Sequence, residues 1–213
     1  AIYTWAGASA SHLNQLPGEV VVLPQSYRLP RQILCTALLI TNRIQKRQSK
    51  EFNARNEEGE VQRASNLGQT QLIGRTFILF RNHYQGNQLR NQLMRGGVPF
   101  RGQGSALERD DVRKAVETDT AFPELPAALA RYCQLARERH PKRRLLNPSV
   151  ELLSIHQSKG READTVVLDL TMTRRTRDSV VEDDEHRVWY VGVTRAKKRL
   201  YLLSSGNNAG YPL

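Results

Sequence analysis

Short, predominantly apolar runs constrain the fold of this chain more than any other feature. "TFILF" (Thr76–Phe80), "VELLSI" (Val150–Ile155), "TVVLDL" (Thr165–Leu170) and "RLYLL" (Arg199–Leu203) do not alternate with polar residues. A strand with one wet face alternates; a strand apolar throughout is buried on both faces. "VVVL" (Val20–Leu23) reads the same way, and "VPFRG" (Val98–Gly102) is a shorter strand. Helical patterns separate these runs. Pro30 opens a stretch in which Ile33, Ala37, Ile40 and Ile44 share a face. Leu89 and Leu93 lie one turn apart before a closing Gly96-Gly97. Glu108–Glu117 and Pro126–Arg139 are two more helical patterns. Lys46–Gly68 and Thr171–Asp184 are polar and read as loops. Glu185–Lys197 is ambiguous: "VWYVGV" has strand propensity, yet Trp189 and Val193 would share a helix face. Strands that alternate with helices predict an α/β fold, with a mostly parallel sheet covered by helices on both faces.

The chain has 213 residues and a net charge of +11. The length suits one domain with at most a small appendage. A positive excess this large points to an anionic partner, with nucleic acid foremost. No run is long enough to span a membrane and the first residues are not a signal peptide. The opening "AIYTWAGA" lacks an initiator Met and reads as the interior of something longer. Cys35 and Cys133 have no ligand neighbours at short spacing, so they are expected to be core thiols of a reducing, cytoplasmic compartment. The histidines are scattered, so no metal cluster is expected.

Several kinds of chemistry are missing. No Gly-Lys dipeptide occurs, so there is no phosphate-cradling loop, and no Gly-x-Gly-x-x-Gly follows a strand. "VVEDDE" (Val180–Glu185) imitates a strand followed by acids for Mg²⁺, but its polar setting suits the acidic first turn of a helix better. Asp169 ends a strand and reads as structural.

Functional residue types gather instead at strand ends, where open α/β sheets bind ligands. Tyr3 and Trp5 alternate with small residues and suit stacking on bases. In "QSYRLP", Tyr27 sits beside Arg28, a ring and a cation matched to a purine and a phosphate. In "SIHQSKGREADTVVL", Ser154, His156, Gly160 and Glu162 stand between two strands, with Gly160 permitting close backbone approach. In "WYVGVTRAKKRLYLL", Arg195 lies at the edge of a packed apolar run.

Together these segments resemble the UvrD/Rep family of superfamily 1 ATP-dependent DNA helicases. "AIYTWAGA" resembles that family's motif III, "QSYRLPRQIL" its motif IV, "SIHQSKGREADTVVL" its motif V and "WYVGVTRAKKRLYL" its motif VI. "ILFRNHYQGNQLRNQLMRGGVPFRGQG" resembles the segment between motifs IV and V, and the order agrees along most of the chain. The resemblance implies that residues 1–18 end a first RecA-like domain and 19–213 form a second, lacking its own P-loop. It also implies a reduced accessory insertion near 112–148. ATP and Mg²⁺ would be held mainly by the upstream domain. Tyr27 would stack on adenine, Arg28 would contact the γ-phosphate, Glu162 the ribose, and Gly160 would let the backbone approach. Arg195 would be an arginine finger reaching across the interdomain cleft. Tyr3 and Trp5 would stack on single-stranded DNA, with Arg81, Ser154 and His156 on its backbone or bases. The partners implied are single-stranded and duplex DNA and the first RecA-like domain, with 3′-to-5′ travel. The sequence departs from the family at Ala6, which replaces the motif III arginine, and at Arg161 and Ala163, where motif V has Leu and Phe. The alternative is a non-catalytic single-strand-binding or regulatory domain with a degenerate nucleotide cleft.

Overall fold

The computed structural model describes residues 2, 7, 17, 18, 21–47, 51–178, 182–204 and 210–213. Six strands, β1 (Glu60–Ala64), β2 (Thr76–Phe80), β3 (Phe100–Gly102), β4 (Val150–Ser154), β5 (Ala163–Asp169) and β6 (Ala196–Leu203), form one sheet in the order β1-β6-β5-β2-β4-β3. Every pairing is parallel. Among the described residues the α-helices are α1 (Arg31–Thr41), α2 (His83–Gly96), α3 (Asp110–Glu117), α4 (Ala127–Arg139), α5 (Lys142–Leu146), α6 (Arg174–Asp178) and α7 (Glu182–Val193).

Alternate residues of each central strand feed two cores, which is why the strands read as unbroken apolar runs. On one face Phe77, Leu79, Val166, Leu168, Leu200 and Leu202 pack against Ile33, Ala37 and Ile40 of α1 and Trp189 and Val193 of α7. On the other, Ile78, Phe80, Val167, Tyr201 and Leu203 pack against Leu89 and Leu93 of α2, Val112 of α3 and Tyr132 and Cys133 of α4. The helices α3 and α4 therefore pack into the core on this face of the sheet, with α5 against them. Trp189 is fully buried and stacks on Tyr211 with ring centroids 4.8 Å apart.

Several expectations are corrected. Val21, Val22 and Leu23 form no strand and are exposed (73%, 41% and 79%), because no strand pairs with them and no core covers them among the described residues. The polar stretch Lys46–Gly68 contains β1, an edge strand whose outer side faces water, so it needs no apolar run. Its register against β6 is reinforced by Arg199 donating to Glu60 at 2.9 Å. The ambiguous Glu185–Lys197 is the helix α7 followed by the first residues of β6, and the Thr171–Asp184 loop holds α6. Cys133 is a core thiol, but Cys35 lies on the outer side of α1 and is exposed. No described helix is long and apolar enough to cross a membrane.

Candidate functional site

The segment between β4 and β5 decides where chemistry can gather. Ile155 leaves the carboxyl end of β4 with its N–H donating to Phe80 O at 3.0 Å. By Ala163 the chain has reached the amino end of β5, where Ala163 N donates to Arg195 O at 3.0 Å. Ser154 and His156 therefore lie at the carboxyl edge of the sheet and Gly160 and Glu162 at its amino edge. Along β5, seven residues long, the two edges are roughly 20 Å apart.

At the amino edge, Ser26, Tyr27, Arg28, Arg55, Glu162 and Lys197 line a cleft of about 410 Å³. The turn before α1 is fixed by Leu29 N donating to Ser26 Oγ (3.1 Å) and by Ser26 N donating to Asn53 O (2.8 Å). That turn leaves the Tyr27 ring 87% exposed. Arg28 Nε is buried without a hydrogen-bond partner among the described residues. A buried unpaired donor is costly, so such a group is expected to meet an acceptor in some state of the protein. Arg55 donates to Lys197 O (2.5 Å) and pairs with Glu57 (2.7 Å); Lys197 pairs with Glu162 at 3.3 Å. Glu162 and Lys197 are half-exposed, and a pair of that kind contributes little stability and is readily exchanged for a ligand. Gly160 has φ +80° with nothing within 4 Å of a Cβ placed there, so the conformation, not crowding, calls for glycine.

Arg195 is not among the lining residues. It is 7% exposed, and its guanidinium donates to Val191 O (2.9 Å), Arg161 O (3.0 Å) and Thr194 Oγ1 (3.0 Å). The first of these caps a carbonyl in the last turn of α7. Burial, followed by the field of Arg28, lowers its pKa to about 10, with Tyr190 and Glu162 pulling the other way. Burial likewise raises the Tyr190 phenol, against the pull of Arg28 and Arg195. With Arg28, Arg55, Lys197 and Arg195 set against Glu57 and Glu162, the region carries a modest positive excess that suits an anionic ligand.

At the carboxyl edge, Arg81 follows β2 and forms a bidentate pair with Glu185 of α7 (2.9 and 3.0 Å), whose carboxylate is buried. Ser154 Oγ and N both donate to Gln157 Oε1 (3.0 and 2.9 Å). His156 is half-buried and hydrogen-bonds the backbone of Ile2; burial, then Arg81, lowers its pKa. Arg81, Ser154 and His156 are therefore brought together, with Arg81 already committed to a carboxylate. Tyr3 and Trp5 lie outside the described residues. Asp169 accepts from Thr171 N at 2.9 Å, and burial raises its pKa, as suits a structural strand-end acid.

The residues fit a nucleotide's base and phosphates, with a free ring beside Arg28, Arg55 and Lys197. No group of three or more His, Cys, Asp or Glu able to hold a metal ion occurs among the described residues. Arg55, Lys197, Gln157 and Glu185 were not anticipated. Lys197 sits in the quoted "TRAKKRL", whereas Arg55 lies in a polar stretch with no pattern to mark it.

Residues 124–207 match the family of UvrD-like helicase C-terminal domains. A Bacillus subtilis protein, "Putative ATP-dependent DNA helicase YjcD", is 32% identical over 121 residues, which span 51% of this chain and 16% of YjcD. Among solved structures, the C-terminal domain of a possible DNA helicase from Lactobacillus plantarum WCFS1 aligns over 85% of this chain and 89% of that one, with 17% identity and a TM-score of 0.47. The PRRSV helicase aligns over 87% of this chain and 24% of its own length, with 12% identity and a TM-score of 0.38. The similarity to UvrD-like helicase C-terminal domains thus covers residues 124–207, the stretch that holds β4, β5, α7 and β6.

Proposed function

We propose that this chain is the second motor domain of an ATP-dependent DNA helicase, with residues 19–213 as the domain proper. Its amino-edge cleft receives ATP presented mainly by the preceding domain, and its carboxyl edge holds part of a single-stranded DNA groove. The observation that carries this reading is the Tyr27 ring, 87% exposed at a cleft lined by Arg28, Arg55 and Lys197. An exposed ring beside several cations fits a flat base joined to a polyphosphate better than any neutral ligand.

Tyr27 stacks on the base, and Arg28 offers its unpaired Nε–H to a phosphate oxygen. Glu162, released from Lys197, accepts from a sugar hydroxyl. Arg195 acts as the finger: its guanidinium has N–H groups beyond those bound to Val191, Arg161 and Thr194, and these stabilise charge developing on the transferred phosphoryl group. When bound, ATP supplies the phosphoanhydride whose cleavage opens and closes the interdomain cleft. Arg81, Ser154 and His156, with Tyr3 and Trp5, grip the DNA strand in 3′-to-5′ travel.

A second reading has its own support. Arg195 is buried and hydrogen-bonded within the chain, as it would be in a non-catalytic, regulatory domain with a degenerate cleft. Tyr27→Ala in the full-length protein separates the two. Loss of a stacked base raises the KM for ATP about tenfold with kcat little changed. An unchanged KM would remove the nucleotide from this cleft.

A further inference from the structure

Behind the cleft, one buried carboxylate gathers three arginines. Glu151, on β4, is 4% exposed. Its Oε1 accepts from Arg75 (3.1 Å) and Arg101 (2.9 Å), while its Oε2 is taken by Arg161. The guanidiniums of Arg75 and Arg161 each lie 5.0 Å from the centroid of the buried Phe77 ring. Arg161 is therefore fixed by a charge-assisted bond and by ring packing together. Its own carbonyl is the acceptor for Arg195 at 3.0 Å, and the next residue is Glu162 of the cleft.

We propose that Glu151, acting through Arg161, is a positioning residue for Arg195: it anchors the 159–162 loop so that the Arg161 carbonyl aims the guanidinium. The inference rests on the reading of Arg195 as the finger. Arg161 stands where the motif V that this segment resembles has leucine. A leucine could only pack, whereas Arg161 reaches a carboxylate and fixes its own backbone by that reach. Stability alone is a poor reason for the arrangement, since replacing a buried ion cluster with apolar side chains is often neutral or stabilising. Aim is a better one: a group that stabilises a transition state loses its effect on small displacement.

A double-mutant cycle in the full-length protein tests this, read as single-turnover ATP hydrolysis per folded molecule with melting measured on each sample. Glu151→Gln and, more mildly, Arg161→Leu are each made alone and with Arg195→Ala. Arg161→Leu leaves Glu151 paired to Arg75 and Arg101, so it keeps the test available if Glu151→Gln folds poorly. Each single change is expected to lower kcat about tenfold or more with KM for ATP unchanged. Neither is expected to lower it further when Arg195 is already alanine, because positioning acts only through the group positioned. Equal losses in both backgrounds, or no loss in either, would overturn the proposal while leaving the finger in place. Full turnover by Arg195→Ala alone would remove the finger and this inference with it.

Discussion

Single residues in this chain are legible where a short motif marks them and hidden where packing alone gives them a role. Tyr27, Arg28 and Glu162 stand out because rings, cations and acids at strand ends have few structural uses, and the fold brings them to one cleft. Glu151 does not stand out: in "VELLSI" it looks like a polar interruption of a strand. Only the parallel alignment of β2, β4 and β3 sets Arg75 and Arg101 beside it. Burial alone would push its carboxyl up, but the hydrogen bonds from Arg161, Arg75 and Arg101 more than reverse this, so it titrates below the ordinary carboxylate range. A depressed native pKa gives stability that is present above the unfolded pKa and lost as pH falls through the native one. Urea midpoints measured against pH should therefore fall on the acid side, and Glu151→Gln should flatten that limb while lowering the neutral plateau. An acid limb identical in the variant would show that Glu151 does not report this linkage.

Elements follow the same division. The central strands are readable because both faces are buried, so burial writes itself into the sequence as unbroken apolar runs. The edge strand β1 is not, since half of it faces water and its register comes from main-chain pairing to β6. Val21–Leu23 shows the opposite error: β-branched propensity without a neighbouring strand does not make a strand. The end of β3 shows how tightly the elements meet. Gly102 has φ +93°, and a Cβ placed there would lie 2.3 Å from Leu152 O of β4. Backbone cannot move aside as a flexible side chain can. Gly102→Ala should destabilise the chain by at least about 2 kcal/mol, from strain at positive φ and the clash together. Chemical denaturation checks it; a loss of a few tenths would mean that β3 is free to shift.

On the scale of the whole molecule, the sheet keeps two groups of candidate residues apart. Nucleotide-type residues lie at the amino ends of β5 and β6, and nucleic-acid-type residues at the carboxyl ends of β2 and β4, though open α/β sheets more often bind ligands at carboxyl ends. The sequence predicts strand ends but not which end, because the β4–β5 segment carries residues of both kinds across the sheet. Helix α7 spans the gap, with Glu185 holding Arg81 near one end and Arg195 following the other. The net charge of +11 predicts that the chain alone binds single-stranded DNA weakly, with affinity falling at least roughly tenfold between about 50 mM and about 200 mM salt. Fluorescence anisotropy with a labelled oligonucleotide checks it, and a salt-independent affinity would exclude phosphate contacts as its source.

The motor assignment itself stands or falls on Arg195. Its hydrogen bonds inside the chain mean that Arg195→Ala will lower the melting temperature somewhat, so hydrolysis must be counted per folded molecule. In the full-length protein, single-turnover ATP hydrolysis by Arg195→Ala should fall at least about a hundredfold, roughly 3 kcal/mol in the barrier, while ATP and DNA affinities stay close to wild type. Arg195→Lys should recover little, because a point ammonium cannot reproduce the planar fork. A variant that melts lower yet hydrolyses at the wild-type rate per folded molecule would reduce Arg195 to a cap on α7 and contradict the motor reading.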